Sequence, residues 1–318
     1  MKCEKSLKIL FYGAGVIGSL YASRLSNSGH EVTVLARGKR FQELQEYGIV
    51  IQKVTSTRPK VTPVTVVETL GPDDDYDLIV VPVRREQLPA IIPHLAVNKK
   101  APSILIMVNN PLGYDDLQQA LGERVCIGFP GAGGERDGFL IRYSLAPRLF
   151  QPTTFGEINR APAPGEITSR IKLIGALFRE AGFPVALCRN IDAWQKTHVA
   201  WVCPVAEAIY QANGNVFQLA IRPELIHKML RAIRENFRIL EILRIPITPK
   251  RIKIWLLPEF ILTPFLMILF RTRFADNIIA KHANSAKEEM EQLAAEFASL
   301  ASQAKEYSTK DSFERKLV

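Results

Sequence analysis

Cysteine is scarce in this chain: the 318 residues carry four, Cys3, Cys126, Cys188 and Cys203, far apart and in no CxxC pair. That spacing excludes a disulfide framework and a cysteine-built metal site, and it fits reduced thiols and a cytoplasmic location. Internal repeats and low-complexity segments are also missing, so the chain reads as ordinary globular sequence. Long uncharged apolar runs are nearly absent. The one candidate, Ile254 to Phe270, is shorter than the ~20 residues a bilayer span requires and is interrupted by Pro258, Glu259 and Pro264, so a buried wall or a subunit interface is expected there and no membrane contact. No signal peptide is expected ahead of the first strand. Acidic residues are the minority charge, 32 against 41 Lys and Arg, a net +9. The basic residues are spread along the chain without a nucleic-acid motif, which points to a solvated surface favourable to an anionic cofactor and substrate.

What is present begins with a hydrophobic content of 47%, enough to fill two domain cores at this length. The most informative stretch is Leu7 to Arg37. An apolar run, Leu7 to Tyr12, predicts a buried parallel strand; Gly13-Ala14-Gly15-Val16-Ile17-Gly18 follows, then a helical pattern with Leu20, Tyr21 and Leu25. Gly29 suits the end of that helix, and Glu31 to Ala36 predicts a second strand. Strand, GxGxxG and helix within one βαβ unit form the dinucleotide fingerprint: Gly13 for the tight turn, Gly15 for close approach of a pyrophosphate, Gly18 for helix–sheet packing. Ala14, Val16 and Ile17 complete the cofactor-binding turn. An NAD site would carry an acidic residue at the end of the second strand, but Leu35-Ala36-Arg37 has none. Arg37 suits a 2′-phosphate, so NADP is the expected cofactor.

Further apolar strands, Asp77 to Val83 and Ser103 to Asn109, alternate with helical stretches at Lys39 to Tyr47, Glu86 to Leu95 and Tyr114 to Leu121. The alternation predicts an α/β fold, a Rossmann-type doubly wound sheet whose ligands lie beyond the carboxyl ends of the strands, near Arg84, Asn109 and Asn110. Short strand-like pieces occupy Val125 to Glu157, Pro162 and Pro164 mark a loop, and a helix over Gly165 to Gly182 precedes a last strand, Phe183 to Cys188. The nucleotide domain is expected to span 1–189. An all-helical substrate and dimerisation domain, 190–318, follows, with stripes at Leu225, Met229, Ile233, Phe237 and Leu240 and at Met290, Leu293, Phe297 and Leu300, and a loose tail from Ser308.

Trp194-Gln195-Lys196 at the head of the helical part, together with GAGVIGSLYASRL and LAR near the start, resembles the ketopantoate reductase family of NADPH-dependent oxidoreductases. The likeness runs through nearly the whole chain in domain order. It implies that Lys196 hydrogen-bonds the substrate carbonyl and supplies a proton as hydride arrives, a role the charge developing on that oxygen calls for. It also implies that Asn110, within Asn109-Asn110-Pro111, sits beside the nicotinamide and the reacting centre. A plain turn residue is the alternative. Departures from the family pattern are clear: Arg84 replaces a strand-end lysine, Ala200 and Pro204 stand where the family has substrate-binding asparagines, and Phe274 stands where a late carboxylate belongs. His198, Lys281, His282 and Asn284 are candidate replacements; His198 as a substrate ligand competes with a buried, hydrogen-bonded histidine. Tyr143 and Trp201 are expected to pack.

Three functions remain open on this reading. The first is an NADPH-dependent reductase of a small 2-oxo acid, with Arg84 or late-helix residues holding the carboxylate and no metal. The second is a reductase of a more apolar carbonyl, its pocket lined by Phe274 or Leu266. The third is an NADPH-binding sensor without catalysis. Small-molecule carbonyl substrates and a homodimer are the expected partners, with neither nucleic acid nor membrane.

Overall fold

Apolar runs of four or five residues, closed by glycine or proline, become the strands of the N-terminal half, and 3.6-period stripes become the helices that follow. The computed structural model describes residues 6–158, 166–280, 283–284 and 286–314, so Cys3, Pro162, Pro164, Lys281 and His282 lie outside the described residues. Two compact units make up the chain, Met1–Val108 with Tyr114–Ile191, and Asn109–Gly113 with Asp192–Val318.

In the first unit the order is β1 (Lys8–Tyr12), α1 (Val16–Ser26), β2 (Glu31–Leu35), α2 (Gly38–Tyr47), β3 (Ile49–Lys53), β4 (Lys60–Thr62), β5 (Thr65–Val67) and β6 (Leu78–Val81). After these come α3 (Leu88–Val97), β7 (Ile104–Ile106), α4 (Asp115–Leu121), β8 (Val125–Phe129), β9 (Ala132–Asp137), β10 (Leu140–Leu145), β11 (Thr153–Glu157), α5 (Ser169–Glu180) and β12 (Val185–Leu187). The main sheet runs β12-β11-β8-β7-β6-β1-β2-β5. From β5 to β8 every pairing is parallel, and β11 is antiparallel to β8. The parallel portion reproduces the doubly wound order, with the switch point between β1 and β6.

A second sheet, β4-β3-β10-β9, departs from the single open sheet that the alternation predicts. It forms because β3 pairs in parallel with β10, a partner far along the chain. α1 shares a core with both sheets, joining Leu20, Tyr21 and Leu25 to Phe11 and Val34 on one side and to Ile49, Ile51 and Ile141 on the other. Its polar groups are paired accordingly: Tyr21 with Thr153 at 2.6 Å and Ser23 with Thr62 at 2.8 Å, each between hydroxyl oxygens. Tyr143, as expected, is buried in this core.

The second unit is helical: α6 (Ile191–Gln211), α7 (Val216–Leu219), α8 (Pro223–Ile242), α9 (Glu259–Phe270), α10 (Arg273–Ala275) and α11 (Lys287–Glu314). α11 continues through Ser308, where a loose tail was expected; its polar residues form a helical extension. Pro204 interrupts the α6 ladder, because it has no N–H for the Ala200 carbonyl. Asn236 on α8 takes over, its Nδ2 donating to Ala200 O at 2.9 Å.

The apolar run Ile254 to Phe270 is a wall on one side only. A 3₁₀ turn, Lys250–Leu256, meets α9 at a bend of 106°. Leu262, Leu266 and Phe270 are buried in the core, whereas Phe260, Phe265 and Ile268 are exposed. The segment is held by Glu259, which pairs with His227 at 2.6 Å and Arg234 at 2.8 Å, while Arg234 Nη2 donates to Leu257 O at 2.6 Å. Among the described residues no single helix is long and apolar enough to cross a membrane.

Candidate functional site

After Tyr12 the chain turns at Gly13, whose φ of +126° is costly for any other residue and whose N–H donates to Phe11 O at 3.1 Å and Leu35 O at 3.2 Å. Gly18 is fixed by space instead: a Cβ there would stand 2.1 Å from Gly13 O and 3.1 Å from Pro82 Cγ. At Gly15 a Cβ would meet nothing within 4 Å, so the backbone there faces open space. Gly15 is also the N-cap of α1, with no side-chain cap and no acidic residue in the first turn. The first-turn N–H groups, with the helix's partial positive charge, therefore meet no side-chain acceptor of that cap. Ala14 is buried, and Val16 and Ile17 are half-buried against the core. An open approach over an uncapped helix start fits a pyrophosphate.

Arg37, exposed just beyond β2, donates from Nε to Glu68 O and from Nη2 to Tyr12 Oη, each at 3.3 Å. That places its guanidinium beside the end of β1. Sequence reasoning missed Arg40. This buried residue of α2 donates from Nε to Ala14 O at 3.2 Å and from Nη2 to Ser19 Oγ at 3.1 Å, and pairs with Glu43 at 3.0 Å. Ser19 Oγ donates to the same Ala14 carbonyl at 3.1 Å, so one arginine and one serine brace the glycine turn. Burial lowers the Arg40 pKa and the Glu43 carboxylate opposes the shift. The only sequence signal was an i,i+3 Arg–Glu pair, which resembles a surface pair.

Arg84 follows β6, at the same sheet edge as the glycine turn. The neighbouring Val83 lies 3.3 Å from where a Gly13 Cβ would be. The Arg84 backbone N–H donates to Gln87 Oε1 at 3.1 Å, and the exposed Arg84 guanidinium is 4.0 Å from Glu86. A solvated pair at that distance contributes little, so the charge remains open to an incoming anion.

In the second unit, the Asn109–Gly113 segment is gripped by α6: the Asn110 N–H donates to Gln195 Oε1 at 2.8 Å. The Asn110 side chain closes its own turn, with Oδ1 accepting from the Leu112 N–H at 3.1 Å and Nδ2 donating to Gly113 O. Gln195, between Trp194 and Lys196, is fully buried, and its side-chain oxygen holds the loop. One residue on, the Lys196 side chain is 12% exposed and its Nζ lies 2.5 Å from Asp192 Oδ2, one helical turn back. Such a charge-assisted pair fixes the ammonium in one place.

His198, a candidate substrate ligand, is buried among aromatic rings. Its ring stacks on Trp194, centroids 5.3 Å apart at 3°, and meets Trp201 edge-on at 5.3 Å. Spacings of four and three residues bring these rings onto one face of α6. Trp201 in turn stacks on Trp255 at 5.9 Å. Leu266 belongs to the core of the helical unit, whereas Phe274 is exposed. Asn284 is structural, its Nδ2 donating to Gly214 O at 2.8 Å. Among the described residues no cluster of three His, Cys, Asp or Glu side chains is arranged to hold a metal ion.

A doubly wound parallel sheet with an uncapped glycine turn at its switch point defines a dinucleotide-binding protein of the Rossmann class. The profile of the ketopantoate reductase PanE/ApbA family matches residues 9–159, and the chain is similar to that family over this stretch. It is similar to the uncharacterized oxidoreductase YkpB of Bacillus subtilis, 26% identical over 196 residues, which cover 60% of this chain and 61% of YkpB. It is also similar to the 2-dehydropantoate 2-reductase of Pyrococcus horikoshii, 22% identical over 237 residues covering 72% of this chain and 74% of that protein. The structure of D-mandelate dehydrogenase with NADH shares the fold, with a TM-score of 0.66 at 16% identity over 95% of this chain and 93% of the other.

Proposed function

We propose that the chain is a nicotinamide-dependent reductase of a small 2-oxo acid, with NADPH as its hydride source and Lys196 as its proton donor. The observation that carries this reading is Lys196 itself: a largely buried ammonium, fixed by Asp192 and next in sequence to the glutamine that grips the Asn110 loop. Reduction of a ketone builds negative charge on its oxygen, and a fixed ammonium both stabilises that charge and supplies the proton. The Gly13 to Gly18 turn would hold the pyrophosphate, and Arg37 would pair with the 2′-phosphate. A bound reduced nicotinamide supplies the hydride. Arg84 would receive the substrate carboxylate, a task suited to a planar guanidinium. Asn110, through the turn it closes, would set the position of the loop at the reacting carbonyl.

A second reading concerns the substrate. Ala200 is fully buried and Pro204 has no donor, so the hydroxyl-binding asparagines of the family have no counterpart at those positions. The fold neighbour named for mandelate, an aryl hydroxy acid, makes an aryl 2-oxo acid the natural alternative to ketopantoate.

Steady-state NADPH oxidation with ketopantoate and with benzoylformate, beside NADH controls, tests both readings. Saturable turnover is expected, and Lys196→Ala should lower kcat by about 10²–10⁴ while leaving NADPH affinity nearly unchanged. A Lys196→Ala protein turning over its best substrate at the full rate would end the proton-donor assignment. Tight NADPH binding without turnover of any carbonyl would make the chain a cofactor sensor.

A further inference from the structure

The exposed half of the bent segment Lys250–Phe270 has no part in the site described above. α9 is apolar all round, and its two faces have different fates. Leu262, Leu266 and Phe270 dock on the core of the helical unit, while Phe260 is 79%, Phe265 55% and Ile268 66% exposed. With Ile261 and Pro264 these positions recur at i, i+1, i+4, i+5 and i+8, one continuous stripe along the helix. The preceding 3₁₀ turn adds Ile254, Leu256 and Leu257, all exposed. A contiguous apolar surface of this kind marks an interaction site.

Charge identifies the occupant. Lys250, Arg251 and Lys253 flank the apolar run on one side and Arg271 and Arg273 on the other, all on exposed residues. The single acid between them, Glu259, is already bound by His227 and Arg234. A second copy docked face to face would gather the same cations from both chains around one seam, with no free acid within the segment itself to answer them. An anionic lipid surface offers what this face lacks: an apolar layer for the stripe and negative headgroups for the flanking cations.

We propose that this face of the helical unit binds an anionic membrane surface as a monotopic contact. The 106° bend and the docked face of α9 prevent the pair from spanning, so the exposed side chains enter the headgroup–acyl boundary while the rest of the unit stays outside. Lys and Arg at both ends extend their heads toward the phosphates.

Sedimentation of the full chain with phosphatidylcholine vesicles, with and without phosphatidylglycerol, is the test. Partition at least about tenfold stronger onto the anionic vesicles, weakened by salt, is expected from five basic residues near the surface. The double variant Phe260→Ser, Ile268→Ser should lose it while keeping the wild-type far-UV circular dichroism, since both side chains are exposed. A readout that needs no variant is quenching by brominated lipid of the tryptophan fluorescence to which Trp255 contributes, expected with anionic vesicles only. A chain that stays in the supernatant with both vesicle types overturns the proposal, as does equal binding by the variant. Ultracentrifugation showing a wild-type dimer that the same variant converts to monomer, without lipid binding, would assign the face to a second copy and overturn it too.

Discussion

Gly15 and Gly18 lie three residues apart in one turn, yet a methyl group would have opposite consequences at the two positions. At Gly15 it would enter open space above the helix start, where the pyrophosphate is expected to approach. Gly15→Ala should therefore fold normally and bind NADPH about tenfold or more weakly, a loss of about 1.4 kcal/mol or more that calorimetric titration would detect. At Gly18 the methyl would collide with the Gly13 carbonyl, an atom of backbone that cannot swing away. Gly18→Ala should lower stability by about 1–3 kcal/mol in urea unfolding even without cofactor. Equal effects of the two variants on stability would contradict the separate roles. The glycine spacing marked both positions in the sequence, because each calls for the absence of a side chain, at Gly18 to clear the Gly13 carbonyl and at Gly15 to leave the helix start open. Arg40 and Gln195 were not legible: each acts through a buried hydrogen bond to a distant segment, and neither forms a local pattern.

At the scale of the element, α6 shows how a departure at one residue is answered by another helix. Pro204 removes the donor for the Ala200 carbonyl, and Asn236 supplies one from α8. Asn236→Ala would leave a buried carbonyl without its partner and should cost about 1–3 kcal/mol, measured as a lower urea midpoint with an unchanged m-value. A variant as stable as the parent would show that the Ala200 carbonyl finds another donor. The heptad-like stripe of α8 was readable because burial of one helix face imposes a 3.6 period on the sequence. The bent segment before and within α9 was readable only as apolar. Which of its side chains would be covered depended on how it docks, and docking is held by the Glu259, His227 and Arg234 cluster, whose members are far apart in sequence.

Across the whole molecule, burial controls the reactivity of the three thiols among the described residues. It pushes Cys126 and Cys203 up to about 12 and Cys188 to about 11, with Arg170 opposing the shift at Cys126 and a backbone hydrogen bond at Asn190 opposing it at Cys188. At pH 8 the thiolate of a group near 12 is on the order of one part in ten thousand, so alkylation of these three in the folded chain should be very slow. Mass-spectrometric mapping after iodoacetamide is expected to find them unlabelled in buffer and labelled in denaturant; fast labelling in buffer would place them in an open environment. The sequence alone determined the βαβ unit, the doubly wound class of sheet and the helical second half, because each rests on a hydrophobic period or a glycine turn that is local in the chain. It also marked Lys196, through a short motif at a helix start. Only the tertiary structure decided that β3, β4, β9 and β10 form a separate sheet, that His198 packs between tryptophans, and that half of α9 faces outward. Each of those outcomes depends on which distant residues meet, and side chains that touch across the fold carry no spacing in the sequence.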